Sequence, residues 1–223
     1  MTTRGYIFDY GGTLDTGGCH WSKMFWHAYQ HVGVPVSEAR FRDAYVHAER
    51  TLGSTPIIHS DYTFRQTLEE KLRLQLGVLN VHADYLSPLA SDLYADVLRH
   101  TAHSREVLQQ LPQPKVLVSN FYGNMPTVLR EFGFDSLFQC VVESAVVGIR
   151  KPDPRIFLMG VEALGLQPGE VAVVGDSIGK DIIPAKTAGC QTVWLKGEQW
   201  NDDTVDECAA DCVMNDLSEL ITT

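Results

Sequence analysis

The sequence predicts an α/β fold, a Rossmann-like parallel sheet core carrying an inserted helical cap domain. Three observations carry that expectation. Short, β-rich apolar runs recur along the chain and end at Asp, Ser, Glu or Gly. Helix-like segments separate most of these runs, the alternation that builds parallel sheets. One long stretch, 16–96, breaks the alternation with helical patterning alone.

The elements follow in order. Tyr6-Ile7-Phe8 is an apolar run that delivers Asp9 into a Gly-Gly turn, as a buried strand ending in a loop would. Later runs are Lys115–Val118 before Ser119-Asn120, Cys140–Val142 before Glu143-Ser144, and Val171–Val174 before Gly175-Asp176. Gln191–Leu195 and Cys212–Met214 complete the set. Helical segments are expected at Ser104–Leu111, Pro126–Phe132 and Pro154–Leu164. Ligands of open parallel sheets bind at the carboxyl ends of strands, so Asp9, Ser119 and Asp176 are expected to converge. The stretch 16–96 carries aromatics at helical spacing, among them Trp21, Phe25, Tyr29, Phe41, Tyr45 and Phe64, which reads as the packed interior of a cap. The expected division is a core of 1–15 and 97–223 with a cap of 16–96.

The 223 residues suit a core with one insertion. A formal net charge of -10 repels nucleic-acid backbones and anionic membranes. A small phosphorylated substrate stays possible, because a local metal and a lysine outweigh the global charge. Cys19, Cys140, Cys190, Cys208 and Cys212 are odd in number and form no Cys-x-x-Cys pair, as expected of reduced thiols in a cytoplasmic protein. Cys208 and Cys212 would share a helix face, yet two thiols make a poor zinc site. Met1 to Arg4 opens no leader-like pattern, and no run approaches the about 20 apolar residues of a membrane span.

Four separated motifs carry the chemistry: Phe8-Asp9-Tyr10-Gly11-Gly12-Thr13-Leu14, Val118-Ser119-Asn120, Arg150-Lys151-Pro152-Asp153-Pro154, and Gly175-Asp176-Ser177-Ile178-Gly179-Lys180-Asp181. A strand-end carboxylate such as Asp9 can attack phosphorus, splitting a hard step into two. Gly11 and Gly12 let backbone amides approach a phosphoryl group. Thr13 either adds a hydroxyl to that loop or caps the turn. Asp176 and Asp181 are hard oxygen ligands of the kind Mg²⁺ prefers.

In order and content the motifs resemble the haloacid dehalogenase-like hydrolase superfamily, over nearly the whole chain. The resemblance implies an Mg²⁺-dependent phosphohydrolase with Asp9 as nucleophile. It implies that Ser119 hydrogen-bonds the phosphoryl group and that Lys151 offsets its charge. Asn120 is expected at the substrate, supporting that loop. Metal ligands implied are Asp9, the Gly11 carbonyl and Asp176, with Asp181 binding through water or orienting the Lys151 loop.

One position departs from the pattern. The superfamily's phosphatases usually carry an acid/base Asp where this chain has Gly11, a group of the kind worth about 10²- to 10⁴-fold in rate. P-type ATPases, phosphonoacetaldehyde hydrolases and 2-haloacid dehalogenases also lack it. Dehalogenases use no metal and lack the Gly175–Asp181 pattern. The phosphonoacetaldehyde enzymes need a cap Schiff-base lysine, and neither Lys23 nor Lys71 sits where that family places one. Three expectations stay open: a phosphohydrolase in which His20 or Asp15 replaces the acid, or whose leaving group needs none; a dehalogenase-type hydrolase of a non-phosphate bond; and a catalytically weak phosphate-binding protein. His27, His31, His47 and His59 are scattered and mark no substrate.

Overall fold

The computed structural model describes residues 3–200 and 207–221. The expected core's ends, 1–2 and 222–223, and its positions 201–206 lie outside the described residues. Each of the six apolar runs forms a strand: β1 (Gly5–Phe8), β2 (Lys115–Ser119), β3 (Cys140–Glu143), β4 (Val171–Gly175), β5 (Gln191–Leu195) and β6 (Cys212–Met214). They make one parallel sheet in the order β3-β2-β1-β4-β5-β6. The chain therefore winds outward both ways from β1, the doubly wound order whose crevice lies at the central strand ends.

Alternation along the strands explains why both faces are covered. Ile7, Val116, Val118, Val171 and Val173 point to one face, where Ile156, Phe157 and Val161 pack on them. Those three belong to α7 (Arg155–Leu164), and burying each contributes roughly 1.5–3 kcal/mol. Tyr6, Phe8, Leu117, Ala172 and Val174 point the other way into a larger apolar cluster. That cluster continues without a break through the helices of the 16–96 stretch.

These helices are α1 (Trp21–Val32), α2 (Glu38–Ser54) and α3 (Phe64–Leu79). Ser37 caps α2, and Thr63 and Gln66 form a reciprocal capping box on α3. The next helix, α4 (Leu86–Gln110), is 25 residues long. It absorbs the segment expected at Ser104–Leu111 and runs unbroken across position 96. Its buried residues Leu89, Leu93, Val97, Val107 and Leu108 keep helical spacing from end to end, so no breaker divides it.

Among the described residues, shorter α-helices are α5 (Met125–Glu131), α6 (Ser144–Val147) and α8 (Ile183–Thr187). Cys208 and Cys212 do not share a helix face. The first lies in a 3-10 turn and the second begins β6. No described helix is long and apolar enough to cross a membrane.

Candidate active site

Sheet register explains why distant residues meet. Phe8 lies level with Leu117 on β2 and Val174 on β4. Asp9 follows directly, and Ser119 and Asp176 each stand two residues past the partner of Phe8. At about 3.3 Å per residue, all three fall at one sheet edge. A cavity of about 130 Å³ opens there, lined by Asp9, Gly11, Gly12, His20, Ser119, Asn120, Lys151, Asp176 and Asp181 among others. Apart from Asp15, the residues expected at catalysis, substrate or metal are thus brought to one place.

Lys151 is the hub of its charged floor. Its ammonium lies 2.6 Å from Asp9 Oδ1 and 2.7 Å from Asp181 Oδ1. The Tyr10 amide donates to Asp9 Oδ1 at 2.7 Å. The Ser177 amide donates to Asp181 Oδ2 at 3.0 Å, so both oxygens of Asp181 have partners. Asp9, Asp176 and Asp181 offer carboxylate oxygens within 4.8 Å of one another, all buried. Burial pushes the Asp9 carboxyl up to about 6, with Lys151 opposing. Burial, then the neighbouring Asp181 and Asp9, holds Asp176 well above the usual carboxylate range. Burial would lower Lys151, but Asp181 and Asp9 outweigh it and keep the ammonium charged. Hard oxygens this close suit a small divalent cation, which would offset the repulsion that joins burial in raising Asp176.

The loop after β1 differs from its expected use in one respect. Gly12 adopts φ +97°, and a Cβ there would collide with the Asp176 carboxylate. Its amide does not face a phosphoryl group: it donates to Asp15 Oδ1 at 2.7 Å. Thr13 does neither of the jobs expected of it, but donates its hydroxyl to Asp176 Oδ1 at 3.1 Å. Asn120 is tied to the Lys151 main chain in both directions, at 3.0 and 2.9 Å, which anchors the lysine loop.

Of the two surrogate acids, His20 lines the cavity and Asp15 does not. His20 caps α1, its Nδ1 accepting from the Ser22 amide. Burial, then Lys180, lowers it to about 4, so the ring is neutral near pH 7. Asp15 is fully buried beneath the loop and accepts from Trp21 Nε1 at 3.0 Å. Burial pushes its carboxyl up to about 8, but it does not line the cavity. His27, His31, His47 and His59 are exposed and lie outside the cavity lining.

The sequence expectations missed the opposite wall. Trp21, Tyr45, Glu49, Phe64, Lys71 and Tyr122 line it. Lys71 Nζ lies 2.6 Å from Glu49 Oε1, and the Tyr122 hydroxyl donates to Glu49 Oε2 at 3.2 Å. A faint signal existed. Lys71 falls four residues after Thr67 and three after Leu68, both buried, so a cation interrupts the inward face of α3.

Residues 3–189 match the haloacid dehalogenase-like hydrolase family. Over 197 residues the chain is 36% identical to a glyceraldehyde 3-phosphate phosphatase of Pyrococcus furiosus, covering 85% of this chain and 78% of that one. Over 83 residues it is 41% identical to a phosphoserine phosphatase of Thermus thermophilus, a match spanning 37% of this chain and 32% of the relative. Among solved structures, a dehalogenase with an intermediate complex aligns over 98% of this chain and 96% of its own, with a TM-score of 0.66 at 21% identity. That likeness is one of fold.

Proposed function

Because the chain belongs to the haloacid dehalogenase-like hydrolases, we propose that it is an Mg²⁺-dependent phosphohydrolase of a small phosphorylated metabolite, working through an aspartyl phosphate on Asp9. One observation carries this: Asp9 is a buried carboxylate at a strand end, 2.6 Å from Lys151 and beside Asp176 and Asp181.

Asp9 attacks phosphorus in line, and the leaving oxygen departs from the opposite side. Lys151 lowers the repulsion between the attacking carboxylate and the phosphoryl oxygens, and Ser119 hydrogen-bonds one of them. Asp181 and Asn120 hold Lys151 in place. Asp9, Asp176 and the Gly11 carbonyl would hold a magnesium ion, which would supply further positive charge against the phosphoryl oxygens. Water then releases phosphate and restores Asp9. A small cavity, the buried Lys151 ammonium and phosphatases among the sequence relatives support a small phosphorylated substrate. Carbon–halogen cleavage draws no such support, since the dehalogenase likeness is one of fold alone.

The test is phosphate release from a panel of phosphomonoesters and acyl phosphates, with and without Mg²⁺, beside Asp9→Asn. Release that needs both the ion and Asp9 is the expected result. Silence on every substrate would leave a non-phosphate substrate or a binding role.

A further inference from the structure

Gly11 leaves the departing oxygen without a carboxylic acid, yet the space beside it is furnished. A Cβ at position 11 would point toward Trp21, with Nε1 as its nearest neighbour at 3.7 Å. Trp21 therefore forms the cavity wall where an acid side chain would stand. Over that indole sits a cation: Lys71 Nζ lies 5.9 Å from the Trp21 ring centroid and 5.3 Å from that of Tyr122. Lys71, on α3, and Lys151, beside Asp9, thus line one cavity.

Resting on the phosphatase proposal above, we propose that Lys71, held by Glu49 and Tyr122, receives the leaving oxygen, and that the preferred substrates are phosphates with a weakly basic leaving group, acyl phosphates foremost. An ammonium has three donors and no acceptor. Glu49 and Tyr122 each engage one and fix the side chain, which leaves the third to face a ligand. Burial alone would lower Lys71, but Glu49 outweighs it and holds the ammonium well above its usual range. Lys71 therefore offers charge and a hydrogen bond without giving up a proton. That suits a leaving group that departs as an anion and fits an alkoxide poorly, because an alkoxide must be protonated.

The step balances without a general acid. Asp9 carboxylate forms a bond to phosphorus as the bond from phosphorus to the leaving oxygen breaks. The leaving oxygen keeps that electron pair and departs as a carboxylate facing Lys71. Water then attacks phosphorus, the Asp9–phosphorus bond breaks, and Asp9 regains its carboxylate. Hydrogen phosphate leaves, and one proton goes to solvent.

The experiment measures kcat/KM with Mg²⁺ for acetyl phosphate, glycerol phosphate and aryl phosphates of graded phenol basicity, with Asp9→Asn as the background. Wild type, Lys71→Met, Lys71→Arg and the double variant Glu49→Gln/Lys71→Met are compared, with thermal melts to check folding. The double variant removes the carboxylate that Lys71→Met leaves without its cation. We expect wild type to favour acetyl over glycerol phosphate by at least about 100-fold, the scale of one missing proton donor. Both Met variants should lose roughly 100-fold and show a steeper dependence on leaving-group basicity, with Lys71→Arg restoring part of the rate. An equal loss on every substrate with an unchanged slope, in a folded double variant, would overturn the role of Lys71. Equal rates on acetyl and glycerol phosphate would overturn the substrate class. No Asp9-dependent release from wild type on any substrate would instead defeat the phosphatase proposal itself.

Discussion

At position 11 the backbone has room for a side chain, since a Cβ meets nothing closer than 3.7 Å. Gly11→Asp should therefore fold and supply the absent acid beside the leaving oxygen. Its kcat on alkyl phosphomonoesters should rise by about 10²-fold or more, the usual scale of general acid help, as phosphate release would show. Position 12 has no such freedom. Gly12→Ala forces a left-handed backbone on alanine, costing about 1–2 kcal/mol, and drives its methyl into Asp176. Lower thermal stability and loss of phosphate release are expected together. Asp15 gives the pH dependence. Its folded carboxyl, raised from 3.8 to about 8 by burial, keeps a proton that the unfolded chain loses above pH 3.8. The folded state binds more protons between those values, so this group's contribution to stability falls as pH rises from about 4 to 8. Urea unfolding of Asp15→Asn should show a shallower decline across that window than wild type, whatever its absolute stability.

The elements set where these residues stand, and two of them are sensitive to single atoms. Gly160 lets α7 approach the sheet closely: a Cβ there would lie 2.8 Å from Ile7 Cδ1 and 3.0 Å from Val118 Cγ2. Gly160→Val should lift α7 off β1 and β2 and cost about 1–3 kcal/mol, measured by denaturant unfolding. Neither neighbour is an exposed, flexible end, so relaxation is limited. On the cap side, α3 owes its start to Thr63, whose hydroxyl accepts from the Gln66 amide at 3.2 Å. Thr63→Ala should cost about 1 kcal/mol. The turn it loosens lies next to Phe64, a cavity wall residue, so KM should rise more than kcat falls. The long α4 was legible only in pieces. Between Val97 and Val107 its inward positions are the polar Thr101 and Ser104, which interrupt the apolar pattern that would show one continuous helix.

The whole molecule carries a net charge of -10, and its site gathers three buried carboxylates around one lysine. A divalent cation would offset the repulsion among those carboxyl groups. Mg²⁺ should therefore stabilise the folded chain by mass action, by about 2.7 kcal/mol at a concentration 100 times its Kd. A rise in Tm on adding Mg²⁺ is expected, with most of it lost in Asp176→Asn. An unchanged Tm across a wide Mg²⁺ range would argue against the proposed metal site. The cap helices join the larger apolar cluster of the sheet. Mutations that loosen that cluster should reach the cavity as well as global stability.

Local sequence was enough to mark the sheet and its strand ends. Short apolar runs must be buried, and each such run ends in a turn whose polar residue has nowhere to point but the sheet edge. Asp9, Ser119 and Asp176 were legible for that reason, whereas Lys151 and Asp181 were legible only through their motifs and the family these resemble. Only the tertiary structure decided how those groups are engaged. It tied the Gly12 amide and Trp21 to Asp15, turned Thr13 toward Asp176, and capped α1 with a neutral His20. It also decided the opposite wall. Glu49 and Lys71 lie on different helices, α2 and α3, with no shared motif, and neither has a partner within its own turn that explains it. Their ion pair exists because two apolar faces pack together. Packing between helices depends on the shapes of both, which a single run of sequence does not contain.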